Sequence, residues 1–270
     1  MKTLFVGGGN MATALIRGAI DNGVARGDLI VIERSSDRRQ HLERTLGVGC
    51  VALEDPLPSG IAAVVWAVKP QHMKDAASEI GPRVPHALHI SIAAGLRVGV
   101  LSRWLQTARI VRAMPNSGAA VGAGVTGLYS RGAVTEGDRA FAQELFEATG
   151  EVLWVDSDER LDAVTAVSGS GPAYVFHFLE GLQQAAQALG FPAAVARKLA
   201  LHTAQGALKQ ALSAGEELTT LRQRVTSEKG TTAAAIAVLD VQGTQAALVD
   251  AVRGAYDRSA EIATEWDAVT

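Results

Sequence analysis

The stretch Thr3-Leu-Phe-Val-Gly-Gly-Gly-Asn-Met-Ala12 decides the fold of the first half of the chain. Residues 3–6 predict a buried strand, the glycines predict a tight turn, and residues 13–22 show a helical pattern that ends at Gly23. The spacing Gly7-x-Gly9-x-x-Ala12 matches the dinucleotide fingerprint in its required place between a strand and a helix. Glycines let the backbone approach a pyrophosphate, whose charge then meets the helix N-terminus. We therefore predict a nucleotide-binding fold and favour it over a coincidental glycine turn.

The end of the second predicted strand bears on the type of dinucleotide. Glu33 stands near the position at which an acidic residue binds the adenosine ribose, which by itself would indicate NAD. Arg34 and Ser35 follow directly and offer a guanidinium and a hydroxyl suited to a 2′-phosphate. We therefore favour NADPH as the cofactor and keep NADH as the alternative. Arg38 and Arg39 are interpreted as solvated charges at the start of a helix.

Further strands are predicted at regular spacing along residues 1–157. They cover residues 28–33, 61–68, 88–92, 109–114, 124–130 and 151–155, with a helix at 136–149. Ligands of doubly wound sheets bind beyond the carboxyl ends of the strands, where Lys69 is placed to donate to a ribose or phosphate. The cofactor-binding candidates are Gly7, Gly9, Asn10, Met11, Ala12, Arg34, Ser35, Ala67, Val68, Lys69, Pro70, Ala93, Ala94 and Asn116.

The texture of the sequence changes after residue 157. Strand-like runs disappear, and helical periodicity is found in residues 159–167, 172–189, 192–213, 217–225, 232–240 and 244–267. Pro172 and Pro192 take first-turn positions, whereas Gly190, Gly215 and Gly243 lie where helices should stop. We predict an α/β chain in which a Rossmann-type doubly wound sheet forms a dinucleotide-binding domain at 1–157. An all-α dimerisation and substrate-binding domain follows at 158–270.

Several of the predicted helices are apolar on almost every side, including residues 232–239. A helix that is apolar on all faces must be buried on all faces, and a domain of about 110 residues cannot easily achieve this alone. We therefore predict an intertwined homodimer formed through the C-terminal half. A compact monomeric bundle is the alternative.

The stretch Val225-Thr-Ser-Glu-Lys-Gly-Thr-Thr232 is a polar turn that leads into a strong helix former. A helix start leaves backbone N–H groups unpaired and carries the positive end of the peptide dipoles, so it can hold a carboxylate without a basic side chain. The hydroxyls of Ser227, Thr231 and Thr232 converge on the same place. A capped helix without a ligand is the alternative interpretation.

Composition excludes several other classes of function. Of 270 residues, 48% are hydrophobic and 20% charged, with a net charge of −3 and a pI near 6.1, so neither nucleic acid nor an anionic membrane is an expected partner. Cys50 is the single cysteine, which rules out an intrachain disulfide and fits a cytoplasmic protein. The six histidines share no metal-ligand spacing, so no metal is expected.

A nucleotide-binding sheet followed by a helical dimerisation domain is compatible with several functions. In 3-hydroxyacid dehydrogenases a catalytic lysine lies four residues after the second glycine of a Gly-Ser-Gly, and an asparagine lies one turn further on. Here Val175 takes the position of the lysine, and the next turn is Phe178-Leu179. The group needed to move an alcohol proton is therefore missing. A non-catalytic, dinucleotide-sensing dimer is the other alternative, although a sensor would not need a second anion site.

Five stretches together identify a family resemblance that spans nearly the whole chain. They are Gly7-Gly-Gly-Asn-Met-Ala12, Ala67-Val-Lys-Pro-Gln71, Met114-Pro-Asn116, Asp162-Ala-Val-Thr-Ala-Val-Ser-Gly-Ser-Gly-Pro-Ala-Tyr174, and Val225-Thr-Ser227 with Gly230-Thr-Thr232. They resemble pyrroline-5-carboxylate reductase. The resemblance implies NAD(P)H-dependent reduction of 1-pyrroline-5-carboxylate to L-proline, the last step of proline biosynthesis. The homodimer predicted above leaves a higher oligomer of dimers open.

The resemblance also implies a substrate site. The amides of Gly230, Thr231 and Thr232 and the hydroxyl of Ser227 would hold the substrate carboxylate, and the Thr232 hydroxyl would bind the ring nitrogen as the catalytic group. The family also has an acidic residue ahead of the stretch that starts at Asp162. Asp158 is the substrate-binding candidate for this position, and Glu159 is the alternative. The loop at residues 225–232, called the hydroxyl loop below, would serve a nucleotide bound by the other subunit.

The chain departs from the family pattern in two loops. Ser117-Gly118 replaces Thr-Pro after the Met-Pro-Asn motif, and Glu228-Lys229 replaces Pro-Gly in the hydroxyl loop.

Overall fold

The structure is a computed structural model that describes residues 1–269. Contacts divide the chain into two compact units. The first unit contains Met1–Ser170 together with residues 255–269, and the second contains Gly171–Gly254. The domain boundary after residue 157 rests on the change in sequence pattern and stays a prediction.

The first unit is built on an eight-stranded sheet in the order β3-β2-β1-β4-β5-β6-β7-β8. All neighbouring strands are parallel except the antiparallel pair β6–β7. This sheet confirms the predicted Rossmann-type fold, and the short strand β3 was not predicted. The strands are β1 (Lys2–Val6), β2 (Leu29–Ile32), β3 (Gly49–Val51), β4 (Ile61–Trp66), β5 (Leu88–Ser91), β6 (Ile110–Met114), β7 (Gly124–Arg131) and β8 (Gly150–Trp154).

Within residues 1–269, five α-helices accompany these strands and six more follow them. The first group is α1 (Asn10–Asp21), α2 (Ser36–Leu46), α3 (Met73–Ile80), α4 (Val98–Leu105) and α5 (Glu136–Glu147). The second group is α6 (Asp158–Val164), α7 (Gly171–Ala188), α8 (Ala193–Ala214), α9 (Leu218–Arg224), α10 (Thr231–Val241) and α11 (Thr244–Asp267). The all-helical second half of the predicted fold is thereby confirmed.

Glycines end several helices, as the sequence predicts. Gly190, Gly215 and Gly243 have φ values of +94°, +62° and +64°, a left-handed conformation that glycine adopts without a Cβ penalty. α8 begins one residue later than predicted, so that Pro192 is its N-cap rather than a residue of its first turn. Between α6 and α7 the backbone forms a short π-helical segment at Thr165–Gly169, called the π-turn below.

The first unit has a hydrophobic core on each face of its sheet. Along β1, Phe5 packs on one face, whereas Leu4 and Val6 pack on the other, as the period of two in a strand requires. α1 covers the first face with Leu15 and Ile16. Because both faces are covered, the strand ends stand on a rigid support.

The second unit leaves many apolar side chains in contact with solvent. Helices α7, α9 and α10 contain no buried residue, and α8 buries only Ala196 and Ala200. The exposed apolar residues include Phe176, Phe178, Leu189, Leu208, Leu212, Leu218, Val238, Val241 and Val249. An exposed apolar area of this kind is characteristic of a surface that another protein chain covers.

Among residues 1–269, no single helix has the length and apolar composition needed to cross a membrane. Helices α10 and α11 meet these two criteria only as a pair, which is bent by 49°.

Asp138 near the start of α5 is paired with Arg109, the residue before β6. The guanidinium donates to both carboxylate oxygens, at 2.9 and 2.6 Å, while Thr135 N–H donates to the same carboxylate in a capping box. Hydrogen bonding from Arg109, with smaller help from Thr135, lowers the pKa of Asp138 from 3.8 to about 2. The stabilisation is therefore complete above roughly pH 4 and declines as the pH falls towards 2.

The Asp138→Asn variant should show this pH dependence. We expect it to be less stable than wild type at pH 6, and the difference in unfolding free energy should shrink as the pH falls from 4 towards 2. Urea unfolding at pH 6, 4 and 3 measures this difference. A difference that stayed constant over that range would contradict the assignment.

Cys50 lies at the sheet edge in β3 and is half-buried. Burial, assisted by the nearby charge of Glu43, raises the pKa of its thiol to about 11. A thiol is nucleophilic as the thiolate, so the raised pKa disfavours a nucleophilic role for this cysteine at neutral pH.

Candidate functional site

The glycine turn after β1 has the geometry that a pyrophosphate site needs. Gly7 has a φ of +97°, and a Cβ there would lie 2.8 Å from the carbonyl oxygen of Ala67, so no other residue fits. Gly9 is the N-cap of α1, and the space beside its Cα is open to 4 Å. Asn10 begins the helix, and the predicted residues Met11 and Ala12 belong to its first turn. The turn therefore leaves room for a phosphate at the N-terminus of α1.

The other predicted cofactor loops follow the next two strands at the same edge of the sheet. β4 ends at Trp66, two residues earlier than predicted, so Ala67, Val68, Lys69 and Pro70 form the loop beyond it. Ala93 and Ala94 follow β5 in the same way. Parallel strands bring these loops to the carboxyl edge, where doubly wound sheets bind ligands.

A cavity of ≈ 130 Å³ opens between the carboxyl ends of β1 and β2. Its lining combines apolar residues of the sheet and α3 with two acids and one arginine. The lining residues are Val6, Gly7, Ile32, Glu33, Arg34, Leu53, Val68, His72, Ala76, Glu79 and Ile80. In a doubly wound fold this is the place of the adenosine half of a dinucleotide.

Glu33 and Arg34 take different roles at the cavity. Glu33 Oε2 accepts the N–H of Gly8 at 2.9 Å, and Oε1 accepts the N–H of Ser35 at 3.0 Å, so both carboxylate oxygens are bonded to the backbone. Arg34 Nη2 lies 3.7 Å from Oε2 of Glu79, and both side chains are exposed. A weak, solvated pair of this kind leaves Arg34 free to turn to a phosphate.

Ser35 is tied to the helix that follows it. It is the N-cap of α2, and its hydroxyl accepts the N–H of Arg38 at 3.4 Å. The hydroxyl keeps a donor for a cofactor phosphate.

The interpretation of Arg38 and Arg39 as solvated charges was wrong. Both are half-buried. Arg38 Nε donates to the carbonyl of Gly8 at 2.8 Å, and Arg39 Nη1 donates to the carbonyl of Glu33 at 2.7 Å. These contacts join α2 to the glycine turn and to the end of β2, two places that sequence spacing alone does not connect.

Replacing Arg34 with alanine should weaken NADPH more than NADH. A hydrogen bond to a charged group is worth roughly 1.5–3 kcal/mol, and the exposure of Arg34 places the loss at the lower end, about tenfold in KM for NADPH. The KM for NADH should change less than twofold. Steady-state kinetics with each nucleotide measures the ratio.

Glu79→Gln is the matched variant for this prediction. It removes the negative charge that lies 3.7 Å from Arg34, so the KM for NADPH should fall rather than rise. Equal changes for both nucleotides in Arg34→Ala would refute the assignment of Arg34 to the 2′-phosphate.

Asn116 is a predicted cofactor-binding residue whose hydrogen bonds are already used within the chain. Its Nδ2 donates to the carbonyl and hydroxyl oxygens of Ser168, at 3.2 and 3.1 Å, and its Oδ1 accepts the N–H groups of Gly118 and Val125. Asn116 therefore fixes the loop after β6 to the π-turn. Cofactor binding by its amide stays a prediction, and any contact would compete with these bonds.

Asp158 belongs to a buried ionic cluster formed by Arg97, Arg112, Asp158 and Asp162. Its Oδ1 accepts from Arg112 Nη1 and from the N–H of Val98 at the start of α4. Arg112 and Asp162 have side chains only 3% and 1% exposed, joined at 3.3 Å. Glu159 is 60% exposed and lies 3.8 Å from Arg97. These contacts give Asp158 a structural role, and its role in substrate binding stays a prediction.

The hydroxyl loop leads into α10 as predicted. Gly230 is the N-cap, no side chain caps the helix, and α10 starts at Thr231. One detail differs, because the N–H of Gly230 donates to the carbonyl of Ser227 at 3.1 Å and so is used within the loop. The first-turn N–H groups of α10 begin at Thr231 and have no partner within the helix.

The backbone conformation of Lys229 explains why the family pattern has a glycine at this position. Its φ is +56°, in the left-handed region that glycine adopts without strain. Its side chain and that of Glu228 are exposed, which places the charge pair in solvent beside the helix start.

Comparisons with known proteins agree along the whole chain. The family description "Pyrroline-5-carboxylate reductase dimerisation" matches residues 158–262, and "NADP oxidoreductase coenzyme F420-dependent" matches residues 2–95. The pyrroline-5-carboxylate reductase of Pseudomonas aeruginosa is 38% identical over 98% of this chain and 97% of the relative. That of Pisum sativum is 35% identical over 96% of this chain and 94% of the relative.

Solved structures extend this agreement to the fold. A pyrroline-5-carboxylate reductase from Coxiella burnetii has a TM-score of 0.90 and 36% identity, covering 97% of this chain and 98% of that chain. The Plasmodium falciparum pyrroline carboxylate reductase with NADP bound has a TM-score of 0.86 and 26% identity, with the same coverage. With its glycine turn, its hydroxyl-lined helix start and full-length relatives above 30% identity, the chain belongs to the pyrroline-5-carboxylate reductase family.

Proposed function

We propose that the chain catalyses the NAD(P)H-dependent reduction of the cyclic imine 1-pyrroline-5-carboxylate to L-proline. The observation that carries the proposal is the open start of α10, whose unpaired first-turn amides adjoin the hydroxyls of Thr231 and Thr232. The substrate has one carboxylate, and this helix start offers backbone donors and a dipole for one anion. It lies on a chain whose other unit has a dinucleotide-binding turn.

The proposed substrate-binding residues are Ser227, Gly230, Thr231, Thr232 and Asp158. The N–H groups of Thr231 and Thr232 would hold the carboxylate together with the Ser227 hydroxyl. Gly230 contributes by its size, because a Cβ at this position would collide with the Ser227 hydroxyl oxygen. The N-cap therefore has to be glycine for that hydroxyl to lie against the loop.

Thr232 is the proposed catalytic residue. A protonated imine is already electrophilic, so orientation of the ring carries most of the rate and general acid–base catalysis carries little. The Thr232 hydroxyl would hydrogen-bond the ring nitrogen and fix its position. The bound nicotinamide would supply the hydride that the imine carbon receives.

The nucleotide site fits NAD(P)H. The residues proposed to hold it are those of the glycine turn and the first turn of α1, the loops after β4 and β5, Arg34 and Ser35. The open space beside Gly9 and the cavity lined by Glu33 and Arg34 support this assignment. NADPH is the favoured nucleotide, because the exposed guanidinium of Arg34, held only by a weak pair with Glu79, borders the cavity.

The proposed assembly is an intertwined homodimer, in the cytoplasm. Its support is the apolar surface of α7, α9 and α10, which a single chain leaves exposed, and the match to a dimerisation family. The proposed boundary between the nucleotide domain and the dimerisation domain lies after residue 157.

One assay tests the proposed function against its alternatives. Adding 1-pyrroline-5-carboxylate to the protein and NADPH should cause a loss of the reduced nicotinamide absorbance together with formation of proline. A hydroxyacid dehydrogenase would instead oxidise hydroxyacids with NADP, which the absence of a lysine at Val175 opposes. Nucleotide binding without turnover of the imine would favour a dinucleotide sensor and contradict the proposal.

A further inference from the structure

Gly8, the central residue of the glycine turn, is held on both sides by side chains. Its N–H donates to Oε2 of Glu33 at 2.9 Å, and its carbonyl oxygen accepts from Nε of Arg38 at 2.8 Å. Arg38 Nη2 also lies 3.3 Å from Oδ1 of Asn10, the first residue of α1. One guanidinium therefore joins α2 to both the middle and the end of the turn.

The charge of Arg38 has no carboxylate partner within the part of the chain that the structure describes. The neighbouring Arg34 differs, because it lies 3.7 Å from Glu79 and is exposed. Arg38 is half-buried, and a guanidinium has five N–H donors, of which the two hydrogen bonds above use two. A half-buried positive charge without an ion-pair partner beside the N-terminus of α1 favours an anion there.

We propose that Arg38 is a positioning residue for the dinucleotide: it holds the glycine turn in its binding conformation and adds a positive charge at the pyrophosphate. Its guanidinium contacts Gly8 and Asn10, which belong to the pyrophosphate turn. Only its backbone N–H bonds to Ser35, in the loop that holds Arg34. Both nicotinamide dinucleotides contain the pyrophosphate, so Arg38 serves NADH and NADPH alike. The inference rests on the proposed function only in requiring that a dinucleotide binds.

Direct titration of NADPH and NADH against the full-length protein tests the proposal. For Arg38→Ala we expect the Kd of both nucleotides to rise about tenfold, as for the loss of one charged hydrogen bond, with the ratio of the two Kd values changed less than twofold. The kcat at saturating nucleotide should stay within twofold of wild type. Arg38→Lys keeps the charge but loses the planar fork, so it should recover only part of the affinity.

The controls separate this role from a general effect on the fold. Arg44→Ala alters the same helix at an exposed residue and should leave both Kd values unchanged. A loss confined to NADPH would assign Arg38 to the 2′-phosphate and overturn the proposal, and unchanged Kd values for both nucleotides would also overturn it. If the wild-type protein bound both nucleotides but did not reduce the imine, the proposed function would fail while the titrations still decided the role of Arg38.

Discussion

Replacing Asp162 with alanine should lower the free energy of unfolding by about 3 kcal/mol, the lower end of the range for breaking a buried ion pair, because Arg112 keeps a second acidic partner. Asp162 Oδ1 accepts from Arg112 Nη2 at 3.3 Å, and Arg97 Nη2 lies 3.7 Å from its Oδ2. Removing the carboxylate leaves Arg112, 3% exposed, with Asp158 as its remaining acid. Urea unfolding at a fixed protein concentration measures the loss.

Asp162→Asn and Glu159→Ala are the matched variants. Burial raises the pKa of Asp162 above its usual range, against the opposing effect of Arg112, so a neutral amide of the same shape should cost less than alanine. Glu159 is 60% exposed and 3.8 Å from Arg97, so its removal should change stability by less than about 1 kcal/mol. Equal losses in Asp162→Ala and Glu159→Ala would show that the cluster does not act as a buried network.

Replacing Thr232 with alanine should reduce kcat roughly 10- to 150-fold. The estimate follows from the loss of a hydrogen bond to a charged ring nitrogen, worth roughly 1.5–3 kcal/mol. The loss should fall mainly on kcat rather than on KM, because the carboxylate is held by the backbone, which the substitution leaves in place. Steady-state kinetics with varied 1-pyrroline-5-carboxylate measures both constants.

Thr232→Ser keeps the hydroxyl and should retain most of the activity. Alanine is a good helix former, so the substitution to alanine should not disrupt the first turn of α10. Unchanged kcat and KM in Thr232→Ala would exclude a role for the hydroxyl in orienting the ring.

The sequence predicted those features that depend on neighbouring residues. The turn at Gly7 and Gly9 and the helix ends at Gly190, Gly215 and Gly243 follow from local conformational rules, and the structure confirms them. Apolar runs at regular spacing and helical periodicity likewise predicted the sheet and the helical half. Propensity and periodicity act over one or two turns of chain, so they fix such elements well.

The features that sequence reasoning missed join residues far apart in the chain. Arg38 reaches Gly8 across 30 residues, and Arg112 reaches Asp162 across 50. A run of arginines at a helix start is usually solvated, and nothing in the local pattern distinguishes one that turns back onto a neighbouring loop. The left-handed backbone at Lys229 was missed for another reason, because a lysine in a sequence does not indicate a positive φ.

The same limit applies to the site itself. Chemistry identified the hydroxyls of the loop before α10, but it could not reveal that the N–H of Gly230 is already used by Ser227. Hydrogen-bond saturation depends on the folded geometry, and so does the fourfold bonding of Asn116. Candidate ligands are therefore easier to predict from sequence than the groups that remain free to bind.

The two units bury very different amounts of apolar surface within one chain, and this difference implies an order of folding and assembly. The first unit has its own core on both faces of its sheet, whereas helices α7, α9 and α10 bury no residue within one chain. We therefore expect the nucleotide unit to be stable within one chain, and helices α7, α9 and α10 to gain buried contacts only when two copies meet. Dilution would then act on those helices as a denaturant does. The abundance of the protein, and not only its sequence, would decide how much of it is active.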